Sequence, residues 1–284
     1  MTQYKLLIIT VTYKPNVKEL TLFIDSYYKY NDLGNNSKLI IIDNSPTNSW
    51  EITEFTQRYK DIDFILNPSN PGFGASNNIG FTKYKSEYTL FINNDVEFLE
   101  PLFTPLIKEF EKDNSLGCIG IHQEGGAPSF FPKMTAPKKV DMSVFNEKYH
   151  FISGAFMFFK SNIFLKIGMF DPLLFMYFEE FDLSERLMAL GYHTTYIDEL
   201  SFLHKVGNRR KVSEYTWKKS IPSFCHICRK YNLDPQYHSK GIMKRLRQLF
   251  LYNLLLLKFS EASKILRVYK YRKELIYNEF KVKI

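Results

Sequence analysis

The sequence predicts an α/β protein with a mainly parallel mixed sheet flanked by helices, followed by a helical C-terminal extension. Two observations lead to this prediction. Short apolar runs rich in β-prone residues alternate with segments whose apolar residues recur at helical spacing, which is the pattern of βαβ units. Polar residues also follow several of these runs directly, and ligands of open α/β sheets lie outside the carboxyl ends of the strands.

The alternation is clearest in the first part of the chain, where each predicted strand ends at a polar loop. We expect strands at residues 5–11, 38–42, 61–66 and 88–92, and helices at residues 17–30 and from the glycine- and asparagine-rich segment 70–80 to about residue 84. Because the carboxyl ends of parallel strands meet at one edge of a sheet, Tyr13, Asp43 and Asp95 are expected to converge on one crevice.

The later part of the chain has a weaker pattern. Residues 113–150 contain several glycines and prolines and are expected to form a long irregular segment. Beyond it we expect a strand at residues 154–159, a helix at 181–190, a strand at 192–197 with a loop carrying His204 after it, and helical residues at 242–277.

Composition limits the classes of protein. The chain has 284 residues, 45% of them apolar, and a net charge of +8, so a large domain with a sizeable core is possible. Residues 239–284 hold twelve Lys/Arg and three Asp/Glu, which gives +9, so the remainder is close to neutral. Since the basic residues lie at the end and no base-stacking motif accompanies them, we expect no nucleic-acid partner.

The segment Asn93-Asn94-Asp95, directly after a predicted strand, is the first candidate for chemistry. Divalent cations prefer carboxylate oxygens, and a diphosphate needs such a cation to neutralise its charge. The same three residues are also typical of a turn. Segment 70–80 has two interpretations as well: its glycines and following helix suit a polar ligand, but an ordinary strand-to-helix loop has the same pattern.

A second group of candidates lies further along the chain. Glu179, Glu180 and Asp182 are three carboxylates in four residues, which resist burial unless a cation or a proton helps. The apolar flank favours a functional role, such as a general base, for Glu179 and Glu180, whereas Asp182 suits a helix N-terminus. His204 is a possible ligand for a Mn²⁺-type cation or an ordinary loop histidine, and the basic residues after it, including Arg209, could bind phosphates.

Taken in this order, these segments resemble glycosyltransferase family 2, and most of all its bacterial rhamnosyltransferase-like members, over about residues 4–215. The motifs that carry the resemblance are Thr12-Tyr13, Ile42-Asp43-Asn44-Ser45, segment 70–80, Asn93-Asn94-Asp95 and Gly154-Ala155. The resemblance implies the GT-A fold, a Rossmann-like α/β domain, together with an inverting reaction and a divalent cation, Mn²⁺ or Mg²⁺.

The resemblance also implies roles for individual residues. Asp95 and His204 would hold the metal, and Asn93 stands where the family's Asp-x-Asp has its first aspartate. Glu180 matches the position of the catalytic base but replaces the usual aspartate, which leaves Glu179 and Glu180 both open for that role. The residues expected around the donor are Thr12, Tyr13, Asp43, Asn70, Gly72, Gly74, Asn78, Asn93, Asn94 and Arg209.

The expected function is that of a metal-dependent inverting glycosyltransferase in bacterial surface polysaccharide synthesis. Its donor would be dTDP-rhamnose or a UDP-sugar, and its acceptor a hydroxyl of a glycan or a lipid-linked saccharide. A nucleotide-binding module without catalysis is the alternative. We expect a catalytic domain at residues 1–238, with the donor side at about 1–100 and the acceptor side at about 101–238, and a basic amphipathic tail at 239–284.

The tail would either bind an anionic membrane surface or pack as a C-terminal helix with a solvated basic face. The start of the chain lacks the pattern of a signal peptide, and the apolar run at residues 249–257 is too short to span a bilayer. We therefore expect a cytoplasmic protein, peripheral at the inner face of the cell membrane. Cys225 and Cys228 form a single Cys-x-x-Cys pair, which indicates buried thiols rather than a zinc site.

Overall fold

The computed structural model describes residues 3–47, 52–125, 152–204 and 214–283, and an eight-stranded sheet forms its centre. The strands are β1 Gln3–Thr12, β2 Ser37–Asp43, β3 Asp63–Leu66, β4 Lys85–Ile92, β5 Val96–Phe98, β6 Leu116–Glu124, β7 Phe156–Lys160 and β8 His193–His204. The helices are α1 Val17–Tyr30, α2 Ile52–Arg58, α3 Phe73–Phe81, α4 Phe103–Lys112, α5 Ser161–Lys166, α6 Glu179–Ala189, α7 Glu214–Lys230, α8 Pro235–Leu255 and α9 Phe259–Phe280, with a 3-10 turn at Gly34–Asn36.

The sheet is mixed and mainly parallel, as the sequence predicts. Its strand order is β3-β2-β1-β4-β7-β6-β8-β5, and only β7 and β5 run against the other strands. Strands β4 and β5 are four places apart, about 19 Å in a flat sheet, yet the chain from Ile92 to Val96 reaches about 14 Å at most. The sheet therefore curls, and its far edge returns toward the end of β4.

The alternation of side chains along the strands divides the core into two layers. In β1, Leu6 and Ile8 belong to one apolar cluster, while Leu7 and Ile9 belong to the other. The apolar faces of α1 and α4 complete the first cluster, and residues of α5 and α6 complete the second. This two-sided burial explains why β1 is an apolar run without alternating polar residues.

Two expectations about the later part of the chain are wrong. Residues 116–124 are strand β6, not irregular chain, and the Cβ of a larger residue at Gly117 would come within 2.6 Å of Leu187. This glycine lets helix α6 approach the sheet and does not mark a turn. His204 does not follow β8 in a loop but is its last residue, because the strand continues past the polar residues Asp198 and Glu199.

The C-terminal region is helical, as expected, but residues 242–277 form two helices rather than one. The chain turns at Leu256–Lys258, where Leu257 has a φ of 54°. Contacts of Gln236 with Lys283 and of Arg247 with Tyr269 show that α8 and α9 form an antiparallel hairpin. The expected tail boundary at residue 239 falls inside α8, and no helix among the described residues is long and apolar enough to cross a membrane.

Candidate active site

The carboxyl ends of β1 and β2 form one corner at the edge of the sheet where the sequence predicts a crevice. Parallel pairing places Thr12 opposite Asp43, and the Thr12 hydroxyl donates to Asp43 Oδ1 at 2.9 Å. The same oxygen accepts from the Ser45 hydroxyl at 2.5 Å and from its backbone N–H at 3.1 Å. The corner is therefore rigid, since Thr12 and Asp43 are buried and held by one hydrogen-bond network.

Tyr13 lies beside this corner with its side chain open to solvent. It is 46% exposed, although it directly follows a strand with a fully buried centre. The next residue, Lys14, has a φ of 48° and donates its backbone N–H to Ser45 Oγ at 2.7 Å. An exposed aromatic ring at a strand end offers a surface on which a planar ligand can stack.

Asp95 and His204 come together beyond the carboxyl end of β4, at the same edge of the sheet. Asp95 lies in the turn between β4 and β5, and antiparallel pairing of β5 with β8 sets Val96 against His204. As a result His204 Nε2 lies 3.2 Å from Asp95 Oδ1, with both side chains buried. The sequence predicted these two residues as a pair without any indication of how a separation of 109 residues is bridged.

The chemistry of this pair fits a divalent cation. A carboxylate and an imidazole are suitable ligands for Mn²⁺, and His204 Nδ1 is buried without a hydrogen-bond partner among the described residues. The part of the chain that the structure describes contains no cluster of three or more His, Cys, Asp or Glu side chains able to hold a metal. A cation at Asp95 and His204 would therefore need further ligands, such as phosphate oxygens or water.

Glu180 is seated against the chain that leads into β7. Its Oε1 accepts the backbone N–H of Gly154 at 3.1 Å, and a Cβ added at Gly154 would come within 2.2 Å of the same oxygen. Burial raises the pKa of Glu180, although the Gly154 hydrogen bond opposes that rise. A partly buried carboxylate with one oxygen fixed and a raised pKa is a stronger base than an ordinary Glu side chain.

Glu179 has a different environment. It is 4% exposed, and its Oε1 has no hydrogen-bond partner within the described ranges. Burial, together with the nearby charges of Glu180 and Asp182, raises its pKa well above the ordinary 4.5. This difference favours Glu180 as the residue that meets a substrate, since Glu179 is the more enclosed of the two.

A short series of backbone contacts joins Glu180 to the Asp95 turn. Gly154 binds Glu180, the next residue Ala155 accepts the backbone N–H of Asn93 at 3.1 Å, and Asn93 is two residues from Asp95. The turn at residues 93–95 and the start of α6 are therefore supported by the same two residues of chain. Asn94 is half-buried within that turn.

The loop before α3 contacts the segment before α6 very closely. Gly72 has a φ of 108°, and a Cβ there would lie 2.3 Å from the Phe175 carbonyl oxygen, so only glycine fits. The backbone N–H of the next residue, Phe73, donates to that same oxygen at 2.9 Å. Gly74 is similarly tight, because a Cβ there would meet Phe170 at 2.8 Å.

Asn78 completes this contact. Its amide donates to the Phe170 carbonyl at 2.9 Å and accepts the Phe170 N–H at 3.1 Å. Both ends of the side chain are thus engaged with backbone, which makes Asn78 a structural link in the wall of the crevice. Asn70, at the start of the loop, has a φ of 45° and donates its N–H to the Asn67 carbonyl at 3.0 Å.

The backbone enters α6 through two left-handed residues. Tyr177 and Phe178 have φ values of 67° and 75°, and neither is glycine. Consecutive bulky residues in this region are unfavourable and persist only where the surrounding structure holds them. Phe178 is held by apolar contact with α7, its ring centroid lying 6.1 Å from that of Phe224, and it immediately precedes Glu179.

Sequence reasoning missed an ion network behind this helix. Asp182 is fully buried and binds Arg186 at 2.5 Å, Lys230 at 2.5 Å and the Tyr231 hydroxyl at 2.7 Å. Lys230 also binds Asp171 at 2.6 Å. The spacing of Asp182 and Arg186 is that of a helical ion pair and could have been found, whereas no local signal points to Lys230, which is 48 residues from Asp182.

The groups that surround Asp171 change the pKa of its carboxyl group. Burial would raise its pKa, but hydrogen bonds from Lys230 and from His226 at 2.9 Å outweigh burial and lower the pKa to about 2. The carboxylate therefore stays charged at any ordinary pH and keeps α7 against the segment that leads to Glu179.

Arg209 lies outside the described residues, so its predicted contact with phosphate stays a prediction.

Comparisons with known proteins complete the description of the site. The family described as Glycosyl transferase family 2 matches residues 7–168, which include the 70–80 loop and Asp95. A comparison with curated proteins gave no match.

Several solved structures resemble the chain at low identity. A mannosyltransferase of Pyrobaculum calidifontis, PcManGT, in complex with GDP-Man and Mn²⁺ aligns at a TM-score of 0.59 and 12% identity, over 94% of this chain and 75% of that one. GalNAc-T7 with UDP, GalNAc and Mn²⁺ aligns at 0.58 and 14%, over 71% and 44%. The S. aureus TarS 1-349 structure aligns at 0.53 and 11%, over 97% and 91%. At identities this low the alignments bear on the fold alone. These structural alignments confirm the predicted GT-A arrangement.

Proposed function

Because the chain belongs to Glycosyl transferase family 2, which matches residues 7–168, we propose that it moves a sugar from a nucleotide diphosphate donor to a hydroxyl group with inversion at the anomeric carbon. The observation that carries this proposal is the series of contacts from Glu180 through Gly154 and Ala155 to the turn at residues 93–95. These contacts connect a candidate proton acceptor, Glu180, with the turn that carries a candidate cation ligand, Asp95.

The donor would occupy the crevice between the two sides of the site. The exposed ring of Tyr13 would stack on the base, and the rigid corner of Thr12 and Asp43 would lie at the edge of the nucleoside. The tight loop with Asn70, Gly72, Gly74 and Asn78 would shape the wall of the pocket, and Asn93 and Asn94 would face the ribose and phosphates. The resemblance in motifs favours dTDP-rhamnose or a UDP-sugar as the donor.

Glu180 is assigned the chemical step. Its carboxylate removes the proton from the acceptor hydroxyl as the oxygen attacks the anomeric carbon from the face opposite the nucleotide. The bond from that carbon to the diphosphate oxygen breaks, and its electron pair leaves with the diphosphate. The raised pKa of Glu180 suits this role, because a stronger base accepts the proton more readily.

Asp95 and His204 are assigned to the cation. They would hold Mn²⁺ or Mg²⁺, which when bound would neutralise the charge of the leaving diphosphate. The short distance between the two side chains and the buried, unpartnered Nδ1 of His204 in the described structure support this assignment. Arg209 would add a positive charge near the phosphates.

The proposed acceptor and location follow from the resemblance in motifs. We propose a glycan or lipid-linked saccharide acceptor bound mainly by residues 101–238, in bacterial surface polysaccharide synthesis at the cytoplasmic face of the membrane. Residues 239–284 would form a basic element that continues from the catalytic domain at residues 1–238 through helix α8. The excess of basic residues in that element supports proximity to an anionic surface.

A nucleotide-sugar panel tests the proposed function. Thermal unfolding would be followed with dTDP-rhamnose and UDP-sugars, each with Mn²⁺, Mg²⁺ or EDTA. A correct donor at about 100 times its Kd should stabilise the chain by about 2.7 kcal/mol, and only when the cation is present. Release of the nucleoside diphosphate and the anomeric configuration of the product, read by NMR, then test transfer and inversion.

The outcomes separate the alternatives. Stabilisation without any turnover, across soluble and lipid-linked acceptors and without donor hydrolysis, would indicate a binding module and contradict the proposed activity. A product with retained configuration would contradict inversion alone. No stabilisation by any nucleotide sugar would remove the donor assignment.

A further inference from the structure

The turn between α8 and α9 exposes an unusual amount of apolar surface. Leu255 is 82% exposed and Leu257 is 73% exposed. Large apolar side chains that are more than two-fifths exposed occupy six of the nine positions from 251 to 259, and they are Leu251, Tyr252, Leu255, Leu256, Leu257 and Phe259. Contiguous apolar patches of this kind mark interaction sites on soluble proteins, whereas scattered exposed leucines do not. We name these six residues the apolar tip.

The apolar tip lies at the free end of the hairpin. The lower part of α8 and α9 is packed: Met243, Leu246 and Val268 form a buried cluster with the half-buried Trp217 of α7. Within the described ranges, none of the apolar clusters includes a residue from 249 to 259. The hairpin is thus anchored on α7 at one end and extends an uncovered apolar turn at the other.

Exposed basic side chains flank the tip along both helices. The exposed residues are Lys244, Arg245 and Arg247 on α8, Lys258 in the turn, and Lys264 on α9. The acidic residue of this stretch, Glu261, pairs with Lys264 at 3.0 Å. Residues 244–264 therefore carry five basic groups and one acidic group, so the apolar tip lies in a stretch of chain with an excess of positive charge.

From this arrangement we infer that the apolar tip inserts into the interface of an anionic lipid bilayer, with the flanking basic side chains against the headgroups. Apolar residues that bury shallowly and cations that meet anionic lipids are the two components of interfacial binding. A second copy of the chain is a poorer partner for this surface, because joining two tips would bring together two stretches with an excess of positive charge.

This inference sharpens the expected role of the C-terminal region and does not depend on the proposed reaction. The expectation from sequence was a basic amphipathic face along the tail. The structure adds that the exposed apolar side chains are concentrated at the turn, whereas other residues of the tail pack on α7: Arg272 is 2% exposed and lies over the Phe224 ring at 4.4 Å. Residues of the tail that hold α7 would remain in place while the tip meets the lipid.

Vesicle flotation with the full chain tests the inference. The vesicles would contain phosphatidylcholine alone or an equal mixture with phosphatidylglycerol. We expect the chain to float with the anionic vesicles and not with the neutral ones. Replacing Leu251, Leu255, Leu257 and Phe259 by Ser should weaken binding by more than about tenfold, and replacing Lys244 and Lys258 by Gln should weaken it by on the order of tenfold.

A matched control replaces two exposed leucines elsewhere, Leu165→Ser and Leu190→Ser, and it should bind like the unaltered chain. Circular dichroism would check that each variant has the same thermal transition, as expected for exposed positions. Tyr252→Trp supplies a second readout, since the fluorescence emission of the introduced indole should shift to the blue with anionic vesicles. Light scattering would report the number of copies in solution.

Three results would overturn the inference. The first is unchanged flotation of the folded four-residue variant. The second is an indole emission in the Tyr252→Trp variant that does not respond to bound vesicles. The third is a dimer that becomes a monomer in the four-residue variant while neither form floats, which would assign the tip to a second copy.

Discussion

The carboxylate of Glu180 is positioned by a contact that is possible only because residue 154 is a glycine and has no Cβ. Gly154 donates its N–H to Glu180 Oε1 and leaves no room for a Cβ, which would lie 2.2 Å from that oxygen. The hydrogen bond fixes one oxygen, and in the proposed reaction the other would accept the substrate proton. Glu179, one residue earlier, is enclosed and has an unpartnered oxygen in the described structure, so adjacent acids have separate environments.

Replacing these two acids separately tests that assignment. Glu180→Gln should lower kcat by about 10²–10⁴-fold, the usual contribution of a general base, while the donor-induced thermal shift stays unchanged. Glu179→Gln should lower kcat much less, because Glu179 is 4% exposed and is not the proposed base. Equal losses in both variants, or a large loss only in Glu179→Gln, would reverse the assignment.

Glu179 should also make stability depend on pH. Burial raises its pKa above 4.5, so the folded state favours the protonated acid, and this contribution to stability is complete below pH 4.5 and is lost as pH rises through the raised pKa. Gln cannot ionise. Relative to the unaltered chain, Glu179→Gln should therefore gain up to about 1.4 kcal/mol for each pH unit between these two pKa values.

Urea unfolding of both proteins from about pH 4.5 to about pH 8 would measure this gain. A stability difference that stays constant over the range would show that Glu179 is not held in its neutral form.

The pair of Asp95 and His204 should control the need for a cation. Asp95→Asn and His204→Ala should each raise the Mn²⁺ concentration for half-maximal activity by at least about tenfold, since each removes a ligand. His193→Ala is a matched control, because His193 forms a similar pair with Asp113 at 3.2 Å on the other end of the same strand, away from the crevice. A normal Mn²⁺ titration for both site variants would contradict the metal assignment.

At the scale of elements, helix α7 supports the start of α6. Lys230 joins Asp182 of α6 to Asp171, and Phe224 packs against the left-handed Phe178. The family match ends at residue 168, so this support comes from chain outside the matched part. An ion network that is buried on one side fixes orientation more than it adds stability, because desolvation offsets much of the attraction between the charges.

Lys230→Met tests the support. It leaves Asp182 buried with fewer partners and should lower the free energy of unfolding by about 1–3 kcal/mol, together with kcat. Lys218→Met is the control, since Lys218 makes an exposed pair with Glu214 and should cost about 0–1 kcal/mol. The support would be unnecessary for catalysis if Lys230→Met lost stability but kept kcat at a temperature where it is fully folded.

At the scale of the whole molecule, the C-terminal hairpin has two ends with different roles. The packed end buries Ile276 against Ile221, Phe224 and Cys225 of α7. The buried free thiols predicted from the single Cys-x-x-Cys pair are confirmed there, and burial raises the pKa of Cys225 to about 11. The free end carries the apolar tip, which contributes nothing to this core.

Truncation should distinguish the two ends. Deletion of residues 239–284 exposes the apolar face of α7 and should lower the midpoint of thermal unfolding by several degrees, because removal of a large buried side chain such as Ile276 alone costs about 2–5 kcal/mol. The Ser variant of the apolar tip should keep the original midpoint. If the truncated chain unfolds at the original temperature, the hairpin is not part of the fold.

The sequence by itself determined the class of fold and the identity of most candidate residues. Apolar runs such as those of β1 and β2 indicate buried strands because side-chain burial follows local periodicity, and motifs such as Asn93-Asn94-Asp95 lie within one short segment. Helix α1 begins and ends at the predicted residues. These features depend on neighbours in the chain, so the order of residues alone reveals them.

Only the tertiary structure decided which residues meet. The curl of the sheet sets His204 beside Asp95, the absence of a Cβ at Gly154 seats Glu180, and Lys230 reaches Asp182 across 48 residues of sequence. The choice between Glu179 and Glu180 also depends on burial, since both are acids at the start of one helix. Long-range contacts arise from packing between elements, and packing leaves no periodic signal in the sequence of either partner.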